Sequence, residues 1–454
     1  MMNLNKIELE DLLSFCINNG AEFAQIYYIK KTKCINKIGL NDKKEMLVEE
    51  GISLNFFIDK VSYHISSSGA NIKLLKKKVK KFFHKKNKIS NNHITLNKLL
   101  IYGKNNELEK FNIDNLKNSI NDFIKEKDNK KLKAKITLIS EKDEILIANS
   151  NGKYLKKFDY LYKIDLIVKI VENNKTRYNY CTKASTININ KLCKVNYKEI
   201  LDELYDKLIK ITDVNINDAT ISNIIIEKGI SGMIFHEACG HALESREINL
   251  KKSVFNNLRQ VKNQKITLVD NPELSELFGS YMVDDEGNRA NKKILIDNGI
   301  IKNYLTESLD EVMDFRKCNG SARRENYYFP ISSRMSNTYI EKGKDVSNEI
   351  IKKLKSAIYI KNIVGGVVDT ISGNFSFNVI EAYIIKNGKI DYTKVIDNIS
   401  IIGNTLDLLN NTEMIGNEIE FIPGYCGSKG GFINTTVGGP LVMIKKMLVV
   451  KNDK

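Results

Sequence analysis

The chain has no tryptophan, only four prolines and only five histidines among its 454 residues. So little proline excludes a proline-rich linker or stalk, and 42% apolar with 28% charged residues excludes a wholly disordered or fibrous chain. Cysteine is sparse as well. The seven, at Cys16, Cys34, Cys181, Cys193, Cys239, Cys318 and Cys426, are odd in number, scattered and without a CxxC pair, which excludes a disulfide framework. No run of about 18 apolar residues is free of charge, so no membrane-spanning helix is expected. The first residues mix Lys6 with Glu8, Glu10 and Asp11 and read as mature protein, without an apolar secretory stretch. These absences point to a soluble, reducing compartment such as the cytoplasm. Acidic residues are the last shortage: 55 Asp and Glu against 71 Lys and Arg leave a net charge of +16. That excess can attract an acidic partner. Lys, Asn and Ile nevertheless saturate the whole sequence, which reads as a general bias of residue usage. Neither nucleic acid nor a membrane is expected as partner.

What is present divides into two textures. An amphipathic helix pattern over 5–19, with Ile7, Leu12, Leu13 and Ile17 near one face, stops at Gly20. Strand patterns follow at 23–29, 51–58, 60–65, 135–140, 144–148 and 160–171, and their spacing suggests an antiparallel sheet. Residues 73–88 carry nine lysines and no acid around Phe82 and Phe83. Such a run can line a nucleic-acid groove, but is more commonly a solvated helix face or loop. A charged helix over 197–211 closes this part. We place a boundary in the polar stretch 213–220, giving an N-terminal α+β domain, 1–212, and a C-terminal domain, 213–454. The second part is richer in glycine. Tight hairpins are expected at Asn298-Gly299 and Asn387-Gly388, with helices near 307–315 and 345–357. Helices and hairpins are mixed without a βαβ cadence, so the expected fold class is α+β: an N-terminal antiparallel sheet packed with helices, then a strand-rich mixed α+β catalytic domain.

Two of the five histidines stand five residues apart in Gly232-Met-Ile-Phe-His236-Glu237-Ala-Cys239-Gly240-His241-Ala-Leu-Glu244. Four apart, as in His-Glu-x-x-His, both imidazoles would reach one metal from one helical face. Five apart, on a regular α-helix, they diverge by roughly 140° at about 100° per residue. A shared metal therefore requires the helix to widen, as a π-bulge does, and Gly240 lowers the cost of that departure. The competing reading, a pair of structural histidines, needs no distortion and leaves His241 turned away from His236. Two imidazoles suit zinc, and a catalytic zinc site takes a third protein ligand. On chemistry alone Glu244, Cys239, Asp284, Asp285 and Cys426, the last within a glycine-rich segment, are all candidates.

His236-Glu237-x-x-x-His241, Asp285-Glu286-Gly287, Asn319-Gly-Ser-Ala-Arg323-Arg324-Glu325, Arg334-Met-Ser-Asn337-Thr338, Ser372-Gly373-Asn-Phe375, Glu381-Ala382-Tyr383 and Cys426-Gly427 with Val437-Gly438-Gly439-Pro440 together resemble the TldD/PmbA family, whose members were once described as modulators of DNA gyrase. Within the family the chain is most similar to the metal-binding TldD type. The resemblance runs through nearly all of 221–445 and is weaker over 1–212. It implies a cytoplasmic zinc-dependent peptidase of two α+β domains acting on small or unfolded peptides. The implied zinc ligands are His236, His241 and Cys426, with Glu237 as the catalytic carboxylate. It also implies a dimer, with a metal-free PmbA-like (TldE) paralogue or a second copy of the chain. The chain departs from the TldD pattern at Ser428-Lys429, where a lysine usually follows the glycine directly, and at Gly431, where glutamine is usual. Arg323, Arg324 and Asn337 are candidate substrate contacts. For the two arginines the alternative is a surface ion pair with Glu325. Glu244 or Asp285 could fix an imidazole tautomer. Two other functions compete: a non-catalytic binding subunit of such a complex, and a nucleic-acid-associated protein.

Overall fold

The computed structural model describes residues 4–39, 42–84, 90–109, 111, 113–127, 129, 131–172, 175–187, 189, 192, 194–211, 219–312 and 317–452. The first seven strands build one sheet. They are β1 (Phe23–Gly39), β2 (Lys43–Ile58), β3 (Val61–Ser68), β4 (Leu100–Tyr102), β5 (Leu132–Asn149), β6 (Tyr154–Glu172) and β7 (Lys175–Ser185), in the order β3-β2-β1-β5-β6-β4, with β7 also on β6. All pairings are antiparallel except β4 on β6. The strands are far longer than their apolar runs because charges continue them in register. Lys31 reaches Glu141 at 2.9 Å and Asp143 at 3.3 Å, and Lys37 reaches Glu45 at 3.2 Å.

Successive side chains of a strand face opposite sides. Ala24, Ile26 and Tyr28 face a core formed with helices Lys6–Asn18 and Ile72–Phe83. Helices Asp114–Lys127 and Tyr197–Ile209 cover the remainder of the sheet around Ile136, Leu138, Ile164 and Leu166. The lysine-rich run is therefore an amphipathic helix burying Ile72, Leu75, Val79 and Phe83, with 85–88 outside the described residues. Tyr27, Ile29, Ile145, Ile147 and Leu155 line the opposite face, toward Tyr327 of the second half.

The expected boundary stretch falls largely on 212–218, outside the described residues. Among the described residues fifteen strands follow: β8 (Ala219–Ile226), β9 (Leu268–Asp270), β10 (Lys293–Asp297), β11 (Ile300–Ile301), β12 (Ala322–Arg323), β13 (Ser332–Ser333), β14 (Asn337–Ile340), β15 (Ser356–Val368), β16 (Asn374–Lys386), β17 (Lys389–Ile396), β18 (Ile399–Asn404), β19 (Thr412–Ile415), β20 (Glu420–Ser428), β21 (Gly431–Gly439) and β22 (Val442–Lys451). One sheet runs β15-β8-β22-β18-β16-β17, and because β15 also pairs with β16, five of its strands close into a ring. A second runs β11-β10-β9-β14-β21-β20, and β12 pairs with β13 alone. The Asn298-Gly299 and Asn387-Gly388 turns carry positive φ at all four residues, as the tight hairpins require. The expected helix at 345–357 is shorter. It spans Ser347–Lys352, and Ser356 already begins β15. The other expected helix spans Ser308–Val312, while 313–315 lie outside the described residues. The architecture is α+β.

The two parts of the chain meet where the loop at 283–288 docks on the first sheet. Asp285 accepts an ion pair from Lys157 at 2.9 Å, and its carbonyl accepts from Gln25 Nε2 at 2.8 Å. Arg324 follows it across the gap: its guanidinium lies 4.4 Å over the Tyr27 ring and donates to Ser53 Oγ at 3.3 Å.

Candidate metal centre

The short helix Ile230–Phe235 follows β8 and passes at His236 into a π-helical turn, His236–Gly240, then a 3-10 turn, His241–Leu243. Ile234, Phe235, Ala238, Cys239, Ala242 and Leu243 belong to the hydrophobic core and anchor the turn. The π geometry brings positions five apart to one side. The two imidazoles stand 5.4 Å apart, with ring planes at 88°. Cys426 arrives from β20, its sulfur 3.2 Å from His241 Nε2. Donor atoms of His236, His241 and Cys426 all lie within 4.8 Å of one another.

Two glycines make this approach possible. A Cβ on Gly232 would stand 2.3 Å from the Gly438 carbonyl oxygen, so the helix lies directly on the backbone of β21. Ser231 Oγ tightens the contact by donating to the Pro440 carbonyl at 2.6 Å. A Cβ on Gly240 would stand 2.0 Å from the sulfur of Met335, which is fully buried beneath the π turn.

Around the triad, His241 Nδ1 lies 2.9 Å from Glu244 Oε1. That contact assigns a proton to Nδ1 and turns Nε2 toward the Cys426 sulfur. Arg334, fully buried, donates to the carbonyls of Cys426 at 2.6 Å and Gly431 at 3.0 Å, and its Nε is 3.9 Å from Glu244 Oε1. It thereby ties the hairpin that carries the thiol to the carboxylate that orients the imidazole. Glu237 Oε2 is 3.5 Å from His241 Nε2.

Burial alone would raise the Cys426 thiol, but the adjoining His241 and His236 hold it well below the usual cysteine range. Burial would lower His241, yet the Cys426 sulfur and Glu244 hold it well above the usual histidine value. Both shifts share one cause, the 3.2 Å approach of the sulfur to the ring nitrogen. His236 Nδ1 is buried with no hydrogen-bond partner among the described residues. Two imidazoles, one of them with an unpartnered ring nitrogen, and a thiol suit a borderline divalent cation such as zinc.

The other candidate ligands lie elsewhere. Cys239 is sealed in the core. Asp284 accepts from the backbone amides of Glu286, Asn288 and Ala322, and Asp285 is held by Lys157 and by the Arg324 amide at 2.8 Å. Of the two residues offered as orienting an imidazole, Glu244 does so and Asp285 does not. Among the described residues no ion pair joins Arg323 or Arg324 to Glu325: both arginines are buried, and Glu325 accepts from the Phe432 amide. Arg323 donates to Met335 O, Asn434 O and Asn434 Oδ1 and lies 4.9 Å from the Tyr281 ring centroid. The Asn337 amide is shared among Asn271 O, Ser280 Oγ and the Gly279 N–H. Among the described residues none of these three side chains bonds to the triad. Sequence reasoning alone does not single out Arg334. Its signal was a lone cation in the otherwise uncharged run Ser332-Ser333-Arg334-Met335-Ser336-Asn337.

A family profile described as the PmbA/TldA metallopeptidase C-terminal domain matches residues 220–451, just over half of the chain. The chain belongs to the PmbA/TldD family. Among its PmbA/TldD relatives, a metalloprotease TldD homologue of Buchnera aphidicola subsp. Schizaphis graminum is 25% identical over 474 residues, covering 99% of this chain and 97% of the relative. The homologue of Buchnera aphidicola subsp. Acyrthosiphon pisum is 29% identical over 333 residues, 71% of this chain and 68% of its own length. A zinc metalloprotease TldD homologue of Saccharolobus solfataricus is 26% identical, covering 68% of this chain and 67% of its own length. The fold is that of the crystal structure of TldE from Thermococcus kodakarensis: TM-score 0.73 at 16% identity, covering 98% of this chain and 100% of that one.

Proposed function

We propose that this PmbA/TldD member is a zinc-dependent peptidase of TldD type that hydrolyses small or unfolded peptides, with His236, His241 and Cys426 as metal ligands and Glu237 as general base. The observation that carries the reading is the π turn, which brings two histidines five positions apart beside one thiolate. The zinc named for the Saccharolobus relative agrees with that donor set. Zinc in such a site lowers the pKa of a bound water toward about 7 and polarises a carbonyl. The chain's own residues do the rest. Glu237 Oε2 takes the proton of the attacking water and returns it to the leaving amine nitrogen. Glu244 keeps the proton on His241 Nδ1, and Arg334 keeps the Cys426 backbone in place. Among the described residues β20 pairs only with β21, which suits an extended peptide lying alongside it. A binding subunit without chemistry has no physical use for all four of His236, Glu237, His241 and Cys426.

Metal analysis and a cleavage assay on an unfolded peptide test the reading together. We expect about one zinc per chain, lost on His241→Ala or Cys426→Ala, and hydrolysis abolished by Glu237→Gln without loss of zinc. Unchanged metal content in both ligand variants would remove them as ligands, and full hydrolysis by Glu237→Gln would remove the base. The same assay, with and without a PmbA/TldE-like paralogue, tests the proposed partner against a homodimer. Among the described residues no helix is long and apolar enough to cross a membrane, and we place the activity in the cytoplasm.

A further inference from the structure

Strand β20 has two faces. Cys426 turns to the metal triad, and its neighbour Tyr425, facing the other way, lines a cavity of about 1060 Å³ between the first sheet and the second half of the chain. That volume is at the top of the range for small-molecule pockets, about 300–1,000 Å³, and admits a peptide segment. The roof is the face of the first sheet that carries Tyr27 and Ile29. Further along, that face becomes charged, with Lys31 and Lys33 on β1, Glu141 and Asp143 on β5, and Lys157 and Asp159 on β6.

The charge balance of this cavity opposes that of the chain. The lining holds ten Asp and Glu against seven Lys and Arg, in a protein of net charge +16. The inner cations are committed: Lys31 to Glu141 and Asp143, Lys157 to Asp159 and Asp285, and Arg323 to the Asn434 carbonyl and side chain. Glu49, Glu107, Glu109 and Glu273 make no ion pair among the described residues, against Lys104 and Arg289 among the lining cations in the same position, so the excess of negative charge lies with these four. The aromatic walls already hold cations. Lys156 sits 4.7 Å from the Phe158 ring centroid and Lys163 4.8 Å from that of Tyr425. Leu47 (51% exposed), Met282 (54%) and Phe432 (67%) add apolar surface to the lining.

We propose that this cavity is a second substrate site, which binds a segment of extended peptide rich in lysine or arginine outside the bond being cut. The choice of a peptide as occupant rests on the peptidase reading. The preference for basic side chains rests on the carboxylates of the lining that make no ion pair, where a concave wall of one sign concentrates ligands of the other.

The test is binding without turnover. The zinc-loaded full chain carrying Glu237→Gln is titrated, by fluorescence anisotropy, with two labelled unstructured peptides that differ only in four lysines replaced by four glutamates. We expect the lysine peptide to bind at least tenfold more tightly. The gap should narrow as salt is raised, because exposed charges are screened beyond about 10 Å at 0.1 M. The triple substitution Glu107→Lys, Glu109→Lys, Glu273→Lys should abolish or reverse it, with zinc content and melting temperature unchanged. Equal binding of the two peptides, a preference for the glutamate peptide, or a gap that survives the triple substitution would each overturn the proposal. Because no cleavage is read, failure here leaves the peptidase reading standing, and failure of hydrolysis leaves this preference measurable.

Discussion

Glu237 and Glu244 are both carboxylates beside His241, and on the proposed reading their different surroundings fit different tasks. Glu244 is 3% exposed and faces Nδ1, whereas the Glu237 side chain is 25% exposed and lies beside Nε2, where a substrate can reach it. Glu237→Gln should therefore lower kcat by about 10²–10⁴-fold, the worth of a positioned proton acceptor, with zinc stoichiometry by metal analysis intact. Glu244→Ala should do the converse. Zinc affinity, read by competition with a chelator, should fall by about 10–100-fold, as it does when the partner of a metal-bound imidazole is removed. A zinc affinity unchanged by Glu244→Ala would show that His241 needs no orienting partner.

The π turn is the element that could be read from residue spacing, because donors five positions apart reach one metal only if the helix widens or breaks. Cys426 was legible only through its motif: nothing in local spacing says which of seven cysteines crosses 185 positions to meet His241. The ends of the long strands were not legible, and for one reason. Residues 135–140 and 144–148 read as two strands, and 23–29 as one that stops short, because Lys31, Lys33, Glu141 and Asp143 look like turn residues in sequence. Across the sheet they neutralise one another and carry the strands through. The π turn itself rests on the small size of residue 240. Gly240→Ala forces Met335 aside at a cost of about 1–3 kcal/mol, as for other overpacked cores. We expect a lower denaturation midpoint and weaker zinc binding. Adding Met335→Ala should recover part of the zinc affinity even though it leaves its own cavity.

At the scale of the molecule, the two halves are joined by charged groups, and that junction is sensitive to acid. His64 on β3 contacts the Asn55 side chain, which also faces the Arg324 guanidinium. Burial, and after it the charge of Arg324, pushes His64 down to about 4 from 6.5. The unfolded chain therefore takes up this proton as pH falls below about 6.5, while the folded chain resists until about 4. Stability contributed by the neutral ring is whole above that window and is lost on acidification through it, by an amount on the order of 2–3 kcal/mol. Unfolding titrations between pH 7 and 4 should show the loss, and His64→Gln should flatten that limb of the profile.

The order in which the ligands are synthesised has its own consequence. At about 5–20 residues per second, roughly ten to forty seconds of translation separate His241 from Cys426. During that interval the ribosome holds a chain with two imidazoles and no thiol to join them, and the five-stranded ring still lacks β22. On the proposed reading the donor set cannot be complete before residue 426 has been added, so the two histidines wait for the thiol.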